Sequence, residues 1–288
     1  MIRTERIPTE AARAEATRTE PTRLAVLGSP IAHSLSPALH AAAYRELGLD
    51  WTYEAIDVPE GALGAFLNTL DVSWRGLSLT MPLKREVVPM LDEASPLVRL
   101  VGAANTVLLG GTMRGFNTDV DGIVAALADH GVTRIGTVHV LGMGATAASA
   151  LAAAARLGAR EAVVTGRRDD DAALRRVARD LGLGLRFRRA GAPLSERVDL
   201  LIDTIPVDVD DIPEVDDAGA FLEVIYDGWP SPRARRRLDA GRTVVSGLEM
   251  LLHQAVGQVR IFTTGSETGA LRREDDVIAA MRSVVGLQ

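Results

Sequence analysis

Short apolar runs that stop at glycine or at polar residues alternate along this chain with longer segments whose apolar residues recur every three or four positions. The first pattern suits buried strands and the second amphipathic helices. Leu24 to Leu27 is such a run, ending at Gly28, and predicts a buried strand. Ser36-Pro37 opens a predicted helix, with Ser36 as N-cap, Pro37 at the first helical position and Gly48 as the stop. Thr52 to Ile56 alternates as a strand, Pro59 to Leu70 reads as a helix, and Gly76 to Thr80 as a strand. A helix is expected from Pro82 through Met90, and another opens at Ser95-Pro96. Asn105 to Leu109, Gly110-Gly111 and Met113 to Phe116 predict a β-hairpin.

The second half alternates more regularly. A helix is predicted from Asp121 to His130, a strand from Val138 to Leu141, and a helix ending at Leu157. Strand 162–165, helix 172–181, strands 185–187, 200–204 and 222–225, helix 232–240 and strand 243–245 follow. Such alternation implies an α/β class with a doubly wound parallel sheet in this half. Helices from Leu248 to Phe262 and Glu267 to Val285 finish the chain.

Composition narrows the chemistry. The 288 residues include no cysteine, which excludes a disulfide scaffold, a thiol nucleophile, an iron–sulfur site and a Cys-ligated zinc. A net charge of −6 argues against binding to nucleic acid or an anionic membrane. The alanine- and leucine-rich stretch from Ala145 to Leu157 is too short to span a bilayer. Met1 to Thr22, with four Arg, four Glu and two Pro, reads as a disordered extension without a secretory apolar core. The expectation is a soluble, cytoplasmic protein of two domains. Of 32 basic residues only Lys84 is lysine. Lysine can give up a proton near neutral pH where arginine effectively cannot, so Lys84 is a candidate for chemistry.

Gly142, Gly144 and Ala147 form a G-x-G-x-x-A turn between a strand and a helix. The first glycine permits the turn, and the second admits a pyrophosphate. The alanine lets helix and strand pack closely, with the helix N-terminus, from Ala145, facing the phosphates. At the end of the next strand an NAD site would carry a carboxylate for the ribose hydroxyl. Here Thr165-Gly166-Arg167-Arg168 stands instead, and guanidinium groups suit the 2′-phosphate of NADP. The alternative is a solvated arginine pair balanced by Asp169 to Asp171.

Polar motifs cluster beside strand ends in the first half: Gly28 to Pro37, Ser78 to Lys84, Gly102 to Thr106 and Gly115 to Asp119. Together with Gly247 to Ala255 near the C-terminus, they closely resemble the shikimate dehydrogenase family, from about Arg23 onward. That resemblance implies NADPH-dependent, reversible reduction of 3-dehydroshikimate to shikimate. It implies a substrate-binding domain of residues 23–120 and 253–288 and an NADP-binding Rossmann domain of residues 121–252, with substrate in the cleft between them. Ser34 and Ser36 would hold the substrate carboxylate, with Tyr226 as a secondary contact or a packing residue. Thr80, Asn105 and Gln254 would bond the ring hydroxyls. Lys84 and Asp119 would be the catalytic pair, since hydride arriving at a ketone leaves an alkoxide that needs a proton and electrostatic support. The other role open to Asp119 is that of an N-cap. Thr204 and Gly247 would line the cofactor site, and Met250 would lie near the nicotinamide or pack in the core.

The chain departs from the family's common pattern at Ser78, where Asn is frequent, at Glu223, where Asp is frequent, and at Gly228, where Pro is frequent. His33 and His253 lie within motifs, but no His pair has metal-ligand spacing, and no metal is expected. Partners would be small molecules, with a monomer or a homodimer. Two alternatives stay open: a quinate/shikimate dehydrogenase using NAD, and a dinucleotide-binding regulator without turnover. The intact Lys84 and Asp119 speak against the second.

Overall fold

The computed structural model describes residues 22–190, 197–205 and 218–287. The expected disordered tail lies outside them except for Thr22, which is the first residue of a strand. That strand, β1 (Thr22–Gly28), carries an apolar run because both its faces are covered. Leu24 joins a core with Leu39 and Phe262, while Ala25 and Leu27 join another with Leu63, Leu77 and Leu83.

After β1 come α1 (Ser36–Leu47), β2 (Trp51–Asp57), α2 (Leu63–Leu67), β3 (Trp74–Leu79), α3 (Leu83–Glu86), β4 (Glu93–Ala94), α4 (Pro96–Val101), β5 (Thr106–Leu108) and β6 (Arg114–Phe116). The six strands form one mixed sheet in the order β2-β1-β3-β5-β6-β4. β5 runs antiparallel to both β3 and β6, so the hairpin expected around Gly110-Gly111 is present.

α5 (Asp119–Asp129) leads into a second sheet. Its elements are β7 (Thr137–Leu141), α6 (Ala145–Arg156), β8 (Glu161–Gly166), α7 (Ala172–Leu181), β9 (Gly184–Arg189), β10 (Val198–Asp203), β11 (Ala218–Glu223), α8 (Pro232–Asp239) and β12 (Thr243–Ser246). The strand order is β12-β11-β10-β7-β8-β9 and every pairing is parallel. This is the doubly wound arrangement, with its switch point between β7 and β10. Six alanines of α6 are buried, and such small side chains let the helix lie close against the sheet.

α9 (Gly247–Thr264) and α10 (Glu274–Val284) close the chain. α9 joins the two halves. Met250 packs in the core of the second sheet, while Leu252, Ala255 and Phe262 pack with Leu24 and Leu39 of the first.

Several elements differ from their sequence-based expectation. Helix 59–70 shrinks to α2, because Gly61 takes φ +81, outside the helical region. Helix 82–90 splits into α3 and a 3-10 turn at Val88–Met90, since Pro89 has no N–H to continue the ladder. β11 ends at Glu223 rather than Ile225, and its Ala218-Gly219-Ala220 start carries little strand signal. The last helix begins at Glu274 rather than Glu267, with Arg273 at φ +56 before it. β4 was not expected, because two residues hold no period.

Candidate active site

Lys84 comes from α3 and Asp119 from the first turn of α5, and the two meet at the open end of the first sheet. Lys84 Nζ donates to Asp119 Oδ2 at 2.7 Å, with the lysine side chain 13% and the carboxylate 3% exposed. Asn105 Nδ2 donates to the other carboxylate oxygen at 2.8 Å, to Thr118 Oγ1 at 2.8 Å and to Gln254 Oε1 at 3.2 Å. The carboxylate is thus held on both oxygens, and it holds the ammonium in turn. A buried ion pair is expensive to desolvate, so this one is not there for stability alone.

The helix-cap alternatives are corrected here. Asp119 is not the cap of α5: Asn117 Oδ1 accepts from the N–H groups of Asp119 and Val120, at 3.1 and 3.4 Å, and so frees the carboxylate. Ser36 is not the cap of α1 either; it is the first helical residue, and its own N–H donates to Ser34 Oγ at 3.3 Å. Ser34 therefore lies at the N-terminus of α1, where negative charge is favoured.

Tyr226, which follows β11, faces the Leu35 backbone and the Ser34 side chain, and both act on its hydroxyl. Burial pushes its hydroxyl above the ordinary tyrosine range, and those two groups oppose the shift. This contact reaches from the second sheet to the serine motif of the first. Thr80 is half-buried at the end of β3. Gln254 Nε2 donates to Leu251 O at 2.9 Å. Gln254 comes near Asp119 because α5 and α9 pack tightly at Gly122, where a Cβ would lie 2.9 Å from that of Gln254.

The glycine turn has the features a pyrophosphate needs. Gly142 takes φ +106, and a Cβ on it would stand 2.3 Å from Thr204 Oγ1, so no larger residue fits. Thr204 Oγ1 donates to Leu141 O at 2.7 Å across the switch point. A Cβ on Gly144 would meet nothing within 4 Å, which leaves open space before the N-terminus of α6. Ala147 is fully buried against the sheet. Arg167 is exposed at the tip of β8 with no ion pair among the described residues, whereas Arg168 is paired with Asp171. Both guanidinium groups are exposed beside the glycine turn's strand, the Arg168 side chain to 62% even with its ion pair.

Two expected cofactor residues have structural duties. A Cβ on Gly247 would fall 2.2 Å from Val224 O, so glycine is required by the approach of β11's end to α9. Met250 is buried in the core with Val245.

The departures are accommodated locally. Ser78 accepts from the Tyr53 hydroxyl at 2.6 Å and donates to Gln258 Oε1 at 2.9 Å. Gly228 takes φ +72, which a proline ring cannot adopt. Glu223 lies buried beside Asp203, and both carboxyls are pushed above the usual range by burial, with Arg233 opposing the shift. Sequence reasoning missed Asn117, which accepts from the first N–H groups of α5, Gln258, and Arg85, whose guanidinium donates to Gly144 O at 3.1 Å and so bridges α3 to the glycine turn. The adjacency of Arg85 to Lys84 was the one signal available. His253, expected to hold no metal, lies 2.9 Å from Asp129.

Comparison with known proteins identifies the family. The shikimate dehydrogenase substrate binding domain profile matches residues 26–107. The shikimate dehydrogenase (NADP(+)) of Thermus thermophilus is 36% identical over 254 residues, covering 84% of this chain and 92% of its own. The crystal structure of Mycobacterium tuberculosis shikimate dehydrogenase superposes with a TM-score of 0.76 at 38% identity, covering 92% of this chain and 100% of that one. That of a Thermus thermophilus shikimate 5-dehydrogenase in complex with NADP(H) and shikimate gives 0.73 at 33% identity, over 91% and 99%.

Proposed function

The chain belongs to the shikimate dehydrogenase family, and we propose that within it Lys84 and Asp119 are the catalytic pair. The protein is an NADP-dependent oxidoreductase acting on a CH–OH group, interconverting shikimate and 3-dehydroshikimate. The observation that carries the residue assignment is the 2.7 Å contact between the only lysine of the chain and a buried carboxylate at the edge of the cleft.

In the direction of reduction, Lys84 donates a proton to the ketone oxygen as negative charge develops on it. Its ammonium stabilises that charge before the proton moves. Asp119 aims the ammonium, and Asn105 aims Asp119. Ser34 and Ser36 hold the substrate carboxylate at the N-terminus of α1, with Tyr226 reaching Ser34 from the other sheet. Thr80, Asn105 and Gln254 take the ring hydroxyls. NADP(H), when bound, supplies or accepts the hydride. Gly142, Gly144 and the N-terminus of α6 at Ala145 hold its pyrophosphate, Ala147 keeps that helix close, Thr204 borders the turn, and Arg167 and Arg168 take the 2′-phosphate. Substrate is read by residues 23–120 and 253–288 and cofactor by 121–252. No helix among the described residues is long and apolar enough to cross a membrane, and the proposed setting is the cytoplasm, as a monomer or homodimer.

The test is nicotinamide reduction by the purified chain, with shikimate or quinate crossed against NADP or NAD. Turnover chiefly with shikimate and NADP is expected. Comparable turnover with quinate and NAD would take Arg167 out of cofactor recognition and widen the substrate class.

A further inference from the structure

Beneath the residues assigned to substrate lies a run of buried polar side chains that the mechanism does not use. His40 is 0% exposed, and Ser78 and Gln258 are each 2% exposed. His40 stacks on Tyr53 with ring centroids 3.9 Å apart. Its Nδ1 is 2.9 Å from the Tyr44 hydroxyl and its Nε2 is 3.1 Å from Gln258 Oε1. Ser78 donates to the same oxygen at 2.9 Å and accepts from Tyr53 at 2.6 Å, while Gln258 Nε2 donates to Asn105 O at 3.3 Å. Tyr53 also faces Ser36, whose hydroxyl, like that of Ser78, opposes the upward push of burial on the phenol.

The orientation of this network is determined by its acceptors. An amide oxygen can only accept, so His40 carries its proton on Nε2, and Nδ1 accepts from Tyr44. Burial pushes the His40 imidazole down to about 3, against the Gln258 bond, so it stays neutral. Gln258 is thus the member that accepts from two elements and donates to a third. It lies one turn beyond Gln254 on α9, and the two glutamines grip Asn105 together, Gln254 at the side-chain amide and Gln258 at the main-chain carbonyl.

We propose that Gln258 is a positioning residue that sets the spacing between the two ends of the substrate pocket, the Ser36 end and the Asn105 end. This rests on the assignment of those residues to substrate above. The connection runs from Ser36 through Tyr53, Ser78 and Gln258 to Asn105, in a closed interior where each bond restrains the next. Small misplacements of a binding residue are costly for a reaction that needs hydride and proton donors aligned. Gln258 joins the Ser78 side chain to Asn105 O, beside the main-chain bond that Leu79 N–H donates to the same carbonyl at 2.8 Å.

Two variants test this. Gln258→Met keeps the volume and removes all three bonds. Gln258→Glu keeps the accepting oxygens and, when ionised, removes the donor to Asn105. We expect Gln258→Met to raise the KM for shikimate about tenfold, with kcat within about threefold and the KM for NADP within about twofold, a pattern of lost substrate binding. Gln258→Glu should show a raised shikimate KM that recovers on acidification, because a protonated carboxyl regains a donor for Asn105 O. The titratable groups facing this position are His40, pushed down, and Tyr44 and Tyr53, pushed up, so none of them titrates in the neutral range. An unchanged shikimate KM in folded Gln258→Met overturns the proposal. So does a parallel rise in both KM values with a fall in Tm. Should Gln258→Met fail to fold, a shikimate KM in Gln258→Glu equal to the parent's at every pH overturns it. A parent chain that does not turn over shikimate removes the underlying assignment, and that result is read before any variant is made.

Discussion

The two sheets handle polar groups in opposite ways. In the first, buried side chains converge at one end and satisfy each other: Lys84 with Asp119, Asn105 with Thr118, Asp119 and Gln254, Ser78 with Tyr53 and Gln258. In the second, the features proposed for cofactor recognition are backbone ones, a glycine turn and the N-terminus of an alanine-packed helix. On the proposed roles, the difference follows from what each half reads. A ring with several hydroxyls and one carboxylate needs donors and acceptors at particular points, which side chains supply. A pyrophosphate needs close approach to N–H groups, which only an absence of side chains permits.

Substitutions should sort along this line. The largest effect is expected from Lys84→Ala, which should lower kcat by about a thousandfold, within the usual range for a lost acid–base group. The KM for NADP should stay within about twofold of the parent. Steady-state kinetics would break the comparison if kcat held and the cofactor KM moved. Next comes Gly142→Ala, whose Cβ would meet Thr204 Oγ1 in a backbone conformation unfavourable for alanine. Strain of about 1–3 kcal/mol at such positions corresponds to roughly ten- to hundredfold in NADP affinity. Titration with NADP should show that loss, while shikimate binding is kept. An unaltered NADP affinity would mean the turn tolerates a side chain and reads cofactor elsewhere.

The smallest effect concerns a buried carboxyl of the second sheet outside the assigned machinery. Burial holds Glu223 above the ordinary range, and Asp203 pushes in the same direction. A carboxyl raised in this way favours folding at low pH, and that contribution is lost as pH rises through its folded value. Glu223→Gln should therefore raise Tm by about 2 °C near pH 8, and the gain should shrink as the pH falls toward the unfolded carboxyl range. Thermal unfolding across pH would sharpen the contrast: here a buried polar group is a cost, whereas Asp119 is held by Lys84 and Asn105 and has a proposed catalytic role. A gain that grew on acidification would contradict the sign.

Much of the site was legible before the fold was known. A lone Lys84 among 31 arginines, a glycine turn after Val138 to Leu141 and five polar motifs in order were enough to point to Lys84, Asp119 and Gly142. The caps were not legible. Ser36 and Asp119 have the right residue type and position for N-caps, yet Ser34 and Asn117 take the bonds, because the loop before each helix bends back and puts a different oxygen closest to the free N–H groups. Arg167 and Arg168 look alike in sequence, and only the turn after β8 pairs one of them, Arg168, with Asp171 while both stay exposed.

By itself, the sequence determined the periodic elements, the parallel second sheet and the chemical types available for catalysis, since periodicity, glycine and a lone lysine act locally. Only the tertiary structure decided which of those groups meet. Gln254 and Gln258 reach Asn105 from about 150 residues away because α9 starts in one core and ends in the other. Contacts at such separation depend on packing of both sheets at once, and no local pattern encodes them.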